Sequence, residues 1–177
     1  MWTPQLSRGR EATKIRNRIK EWTFGKGLDV GCGLDKISPE AIGIDIAPLP
    51  GINYTLDVRD LFIFDDNRFD YIFSAHVLED LEDPEDALRE WLRVLKPGGY
   101  LILYLPHKDY YPNIGKEGAN PAHKHDFLPK DILQILKRIC FFDVHVLEER
   151  NKNDEYSFLL VAMITASTPS FNISVSV

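Results

Sequence analysis

Cysteine is scarce: Cys32 and Cys140 are the only two in 177 residues. Two cysteines cannot build the multi-bridge framework of small secreted domains, so each is expected as a small buried apolar side chain in a reducing compartment. Long hydrophobic runs are missing too. No stretch reaches the roughly 18 apolar residues of a membrane-spanning helix, and the opening MWTPQLSRGREATK has no apolar leader segment, so a cytoplasmic protein is expected. An excess of basic residues is also lacking. Lys plus Arg number 21 and Asp plus Glu 27, a formal charge of −6, which argues against general binding to nucleic-acid phosphates. There is no internal repeat and no Gly/Ser-rich linker. What is present is a 44% hydrophobic chain, enough for one globular core. A single domain over residues 1–166 and a loose tail at 167–177 are expected.

Periodicity places the elements. Ala12, Ile15, Ile19 and Trp22 recur at helical spacing, predicting one helix over residues 10–22. Short apolar strands are predicted at 28–30, 41–46, 53–56, 69–74 and 100–105. Asp83, Pro84 and Glu85 open a helix whose buried stripe is Leu88, Trp91, Leu92 and Leu95, ended by Pro97-Gly98-Gly99. A long polar connection, 106–127, precedes a helix opened by Pro129; connections of this length are usually functional. Two last strands, 141–147 and 156–164, have no helix between them and so form an antiparallel pair. Strands alternating with helices predict an α/β fold with a largely parallel sheet.

In such sheets ligands bind beyond the carboxyl ends of the strands. Those ends are LDVGCG at 28–33, GIDI at 43–46, LDV at 56–58 and FSAH at 73–76. Together with the block FDYIFSAHVLEDLEDPEDALREWLRVLKPGGYLILYLPH at 69–107 and HDFLP before the 129–139 helix, they resemble the class I S-adenosylmethionine-dependent methyltransferases, particularly type 11, over residues 27–165. The resemblance implies a Rossmann-like sandwich with a seven-stranded, mostly parallel sheet and an antiparallel last strand. It also implies S-adenosylmethionine as cofactor and a small-molecule acceptor, saccharides and secondary metabolites being the classes it suggests, with methyl transfer to O, N or C. A dinucleotide fingerprint is a poor fit, since Lys36 stands where its third glycine belongs and Asp45 follows Gly33 too closely for the ribose acid.

Gly31 and Gly33 permit close approach of a ligand to the main chain, and a carboxylate at Asp45 suits two ribose hydroxyls. The resemblance implies cofactor contacts from Asp29, Gly31, Cys32, Gly33, Asp45, Ile46, Asp57, Val58, Ser74, Ala75 and His76. Asp29 has the alternative of bonding its own turn, and Asp60 competes with Asp57. His76 and His107 are candidate bases. Tyr110, Tyr111, His123 and His125 are weaker acceptor contacts, and Tyr104 is either pocket or core. The His123-Lys124-His125-Asp126 run invites a metal reading, but loop packing or substrate contact is expected there and no metal is assigned. Asp80, Glu82 and Asp83 are expected as loop and cap residues, and His145 as structural. The seven residues 34–40 leave hardly room for a helix, so the first crossover is compressed. A non-catalytic binding module that kept the fold is the alternative function.

Overall fold

A computed structural model of the chain describes residues 10–149 and 155–167. Seven strands form one sheet: β1 Gly27–Val30, β2 Ile42–Asp45, β3 Tyr54–Thr55, β4 Phe69–Ala75, β5 Leu95–Pro106, β6 Cys140–Glu149 and β7 Ser157–Ser167. Their order is β3-β2-β1-β4-β5-β7-β6. The first five pair in parallel, and β7 runs antiparallel between β5 and β6. This is the predicted mostly parallel sheet with an antiparallel last strand. The strand order reverses between β1 and β4, and the crevice at that switch point is where a ligand is expected.

The central strands are apolar on both sides because both faces of the sheet are covered. Leu101, Leu103 and Leu105 of β5 face one core with helices α2 (Pro84–Val94) and α3 (Pro129–Ile139). Ile102 and Tyr104 face a second core with Tyr71, Phe73, Leu159 and Val161. In α2, Asp83 caps the start by accepting from the Asp86 N–H at 3.2 Å, and Leu88, Trp91 and Leu92 are buried. The predicted end at Pro97-Gly98-Gly99 is corrected: the helix stops at Val94 and the chain is extended from Leu95, which pairs with Phe69. A proline at 97 disfavours helical backbone at Lys96 and cannot continue the helical hydrogen bonding. In α3, Ile132, Ile135, Leu136 and Ile139 are buried as predicted.

The predicted helix over 10–22 is also corrected. It is two short pieces, α1 (Glu11–Ile15) and a 3₁₀ turn at Lys20–Trp22. Ala12, Ile15 and Ile19 are buried in the second core while Trp22 is only half-buried. Arg16 explains where α1 is held. Its guanidinium donates to the Ile37 and Lys36 carbonyls at 2.9 and 2.8 Å and to Asp35 at 2.7 Å, and the Thr13 N–H donates to Asp35 at 2.9 Å. The N-terminal segment is thus fastened to the first crossover, residues 31–41, which contains no helix. The crossover lies so close on β2 that a Cβ at Gly43 would sit 2.5 Å from the Lys36 side chain and 2.7 Å from Cys32 Sγ. Residues 168–177 of the expected tail lie outside the described residues, whereas Ser167 ends β7 rather than opening a tail.

One long-range bond joins the helical layer to the crevice: Trp91 Nε1 donates to the Val58 carbonyl at 2.7 Å, fully buried. Trp91→Phe keeps an aromatic but strands that carbonyl. A loss of about 1–3 kcal/mol in urea-denaturation stability is expected; an unchanged midpoint would show that the bond does not hold this loop.

Candidate functional site

A cavity of about 670 Å³ opens at the carboxyl ends of β1, β2 and β4, within the size range of small-molecule sites. Of the sequence-predicted cofactor residues, Asp29, Gly31, Cys32, Gly33, Asp45, Ile46, Asp57, Val58, Ala75 and His76 line it. Ser74 does not: it is fully buried and donates from Oγ to the Val30 carbonyl at 3.1 Å, tying β4 to β1.

The glycine loop after β1 turns on two left-handed residues, Gly31 (φ 69°) and Gly33 (φ 54°). The Gly33 N–H donates to Asp45 Oδ2 at 3.0 Å, and the Ala47 N–H donates to Oδ1 at 2.9 Å. Each carboxylate oxygen keeps a lone pair for a further donor. Beside it, Ile46 is 65% exposed, an apolar surface that lines the cavity, as does Val58. Asp57 is held by Arg59 at 2.6 Å, whose hydrogen bonds keep its carboxyl below the ordinary range. Asp60 accepts from the Phe62 N–H and is not among the cavity residues.

Asp29 serves the crossover. It is 1% exposed and accepts from the Ile37 N–H at 2.6 Å. Burial pushes its carboxyl up to about 7, with the Ile37 bond and then Lys36 and Arg16 acting the other way. Burial likewise pushes the Cys32 thiol up to about 12, with Asp29 and Asp45 adding to it, so Cys32 is not a nucleophile at neutral pH.

His76 follows β4 in a left-handed conformation, φ 53°, uncommon for a residue with a Cβ. This backbone turns its ring so that Nε2 meets Ser157 Oγ at 2.8 Å, with Glu11 Oε2 3.6 Å away. Burial pushes the ring down to about 3, helped by Lys14 and His123. The ring is therefore neutral at physiological pH and makes no ion pair with Glu11. Such a group orients a partner by hydrogen bonding and is too weakly basic to collect a proton from water at neutral pH. His107 lies elsewhere: it is 1% exposed, Nδ1 accepts from the Asp109 N–H at 3.1 Å, and the ring stacks on Tyr110 at 4.4 Å. Tyr104 is core, its hydroxyl donating to Glu155 at 2.7 Å. Tyr111 packs on His123 and Tyr156, and His125 stacks on Phe127. None of His107, Tyr110, Tyr111, His123 and His125 lines the cavity. The 106–127 connection reaches it instead through Pro121, Ala122 and Lys124. Sequence reasoning missed these, and also Glu11, which arrives from α1 and carried no motif.

Residues 28–103 match the family described as a methyltransferase domain. The chain is 28% identical over 159 residues to phosphoethanolamine N-methyltransferase 2 of Caenorhabditis elegans, covering 76% of this chain and 36% of that one. It is 36% identical over 115 residues to the ubiquinone/menaquinone biosynthesis C-methyltransferase UbiE of Idiomarina loihiensis, covering 56% of this chain and 43% of that one. In fold it is similar to a SAM-dependent methyltransferase from Aquifex aeolicus, with a TM-score of 0.64, 20% identity, and coverage of 93% of this chain and 100% of that one. The matched segment is thus similar to a methyltransferase domain, and the fold is that of the solved S-adenosylmethionine-dependent methyltransferases. The chain spans between about a third and two thirds of the length of the curated relatives it matches.

The buried Asp29 makes stability depend on pH. Its folded value lies above the ordinary 3.8, so between about pH 4 and 7 the folded chain holds a proton that the unfolded chain releases. Stability from this group is present at low pH and is lost as pH rises through about 7. Asp29→Asn keeps an acceptor for Ile37 and removes the charge. In the ligand-free protein its melting temperature is expected to match the parent near pH 4 and exceed it by several degrees near pH 8. Equal melting temperatures at both pH values would contradict the assignment.

Proposed function

We propose that residues 1–166 act as one catalytic domain that binds S-adenosylmethionine in the cavity at the strand ends and transfers its methyl group to a small-molecule acceptor. The observation that carries this is the Asp45 carboxylate, held by the Gly33 and Ala47 N–H groups at 3.0 and 2.9 Å with lone pairs left over. That arrangement suits the two adjacent hydroxyls of a ribose. The exposed Ile46 and Val58, both at the cavity, would supply the apolar face that an adenine stacks on, and Asp57 would accept from its amino group. The chemistry of the donor set fits the cofactor's charge: acidic groups line a cavity for a molecule bearing an ammonium and a sulfonium.

When bound, the cofactor supplies an electrophilic methyl group; the sulfur–carbon bond breaks as the acceptor–carbon bond forms, and S-adenosylhomocysteine leaves. The chain's own contribution is placement and exclusion of water. The glycine loop and Ala75, which line the cavity, would hold the methionyl end. His76, neutral and fixed by Ser157, presents its ring at the cavity wall, where it shapes the space left for the acceptor. The acceptor's proton passes to solvent or to an acceptor group of its own. The relatives' names include both N- and C-methyltransferases, so the acceptor atom is left as O, N or C, and saccharides and secondary metabolites are the classes to screen first.

Asp45→Ala tests the site. Calorimetry with S-adenosylhomocysteine is expected to show at least tenfold weaker binding than the parent, about 1.4 kcal/mol or more. Unchanged affinity would remove Asp45 from the site. Binding by the parent without transfer to any acceptor in a labelled-methyl screen would favour the non-catalytic module instead.

A further inference from the structure

Next to the cavity lies a second cluster that the proposed methyl transfer leaves unexplained. After β4 the chain makes a 3₁₀ turn at Leu78–Asp80. Glu79 points inward from it and is 1% exposed, yet neither of its carboxylate oxygens has a hydrogen-bond partner. Asp80 Oδ1 is likewise buried without one. His123 arrives from the long connection, 8% exposed, with Nε2 3.7 Å from Glu79 Oε1 and 4.0 Å from Asp80 Oδ1. Three ligand atoms, one from each residue, lie within 4.8 Å of one another. Folded proteins rarely leave a buried carboxylate without donors, because its desolvation is then uncompensated.

The backbone is arranged to hold this cluster. The Glu79 carbonyl accepts from both the Lys124 and His125 N–H groups, at 2.8 and 3.1 Å, so the loop carrying His123 is fastened onto the turn carrying the two acids. Tyr111 packs on the His123 ring with centroids 5.1 Å apart, and His76 Nδ1 lies 3.9 Å from the same Glu79 Oε1. Lys124 is paired with Glu82 and makes no hydrogen bond to the Glu79 carboxylate.

We propose that Glu79, Asp80 and His123 bind a divalent metal cation. Two carboxylates and one imidazole form an oxygen-rich donor set with one nitrogen, which suits Mn²⁺ or Zn²⁺ better than a soft-metal site would. Three protein ligands leave coordination positions open. Asp80 also lines the cavity, which puts the cluster at the edge of the space given above to the acceptor. The metal's part in catalysis, holding an oxygen-bearing acceptor and lowering the pKa of its hydroxyl, rests on the proposed methyl transfer; the cation site itself does not. The grouping differs from the sequence run that invited a metal, since His125 stacks on Phe127 and Asp126 accepts from the Ile114 N–H.

The test is calorimetric titration of metal-stripped full-length chain with MnCl₂ and, separately, ZnCl₂, without cofactor. One cation per chain is expected, with a dissociation constant in the micromolar range. Glu79→Gln, close in shape to the parent, and His123→Ala are each expected to weaken it about tenfold or more, while His125→Ala binds as the parent does. Circular dichroism confirms that each variant is folded. S-adenosylhomocysteine binding is measured in parallel, so loss of the cofactor reading and loss of the metal reading are separate results. No saturable binding of either cation by the parent would overturn the proposal. So would parent-like binding in folded Glu79→Gln and His123→Ala, or loss of binding in His125→Ala.

Discussion

The hydrogen bond from the Ile37 N–H to the buried Asp29 carboxyl is the constraint on which the rest of the structure depends. A parallel crossover normally carries a helix that spans the gap and covers the sheet. Here eleven residues, 31–41, make the passage without one. Asp29 takes hold of Ile37 at 2.6 Å, Gly43 has no Cβ to obstruct Lys36 and Cys32, and Arg16 clamps the outer side. The short path sets the Ile42–Asp45 strand beside β1, and so brings Asp45 within reach of the Gly33 N–H. The geometry of the cavity at the strand ends is inherited from a crossover that lacks its helix.

The same economy shapes the two faces of the sheet. One face has α2 and α3 and a continuous core. On the other, α1, with the buried Ala12 and Ile15, Ile19 beyond it, and Ile37 and Ala41 of the crossover take the place of a missing helical layer. Because α1 is recruited for cover, its first residue, Glu11, ends up at the cavity wall beside His76. The acidic balance of the chain is unevenly used as a result. Glu11, Asp29, Asp45, Asp57, Asp80 and Glu82 all border one cavity, a concentration that attracts positively charged ligands. Glu11, Asp57 and Glu82 each carry a cation of their own, Lys14, Arg59 and Lys124, and away from the cavity Asp70, Glu85 and Glu90 are paired to Lys96, to Arg89 and Arg138, and to Arg93.

Much of this was legible in the residues. The apolar runs of β4 and β5, the Asp83-Pro84 start of α2 and the glycines at 31 and 33 follow from local rules of burial, capping and backbone freedom, and the structure obeys them. What escaped depends on distant partners. The stripe at Ala12, Ile15, Ile19 and Trp22 has helical spacing, yet contacts of Arg16 with residues 35–37 hold a break in it that no local pattern announces. Leu95 fits the stripe of α2, but pairing with Phe69 claims it for a strand. His123 and Glu79 are 44 positions apart in sequence, and their approach comes from two backbone bonds to the Glu79 carbonyl. A run of neighbours such as His123-Lys124-His125-Asp126 draws attention in sequence, whereas the structure turns its members to different surroundings.

The central claim is that the compressed crossover builds a cofactor cavity around Asp45. A crystal structure with S-adenosylhomocysteine bound tests it most directly. The account predicts both ribose hydroxyls within hydrogen-bond distance of the Asp45 carboxylate, the adenine against Ile46 and Val58, and the Asp29–Ile37 bond intact. A ligand bound elsewhere, or an Asp45 carboxylate turned away from the ribose, would contradict it.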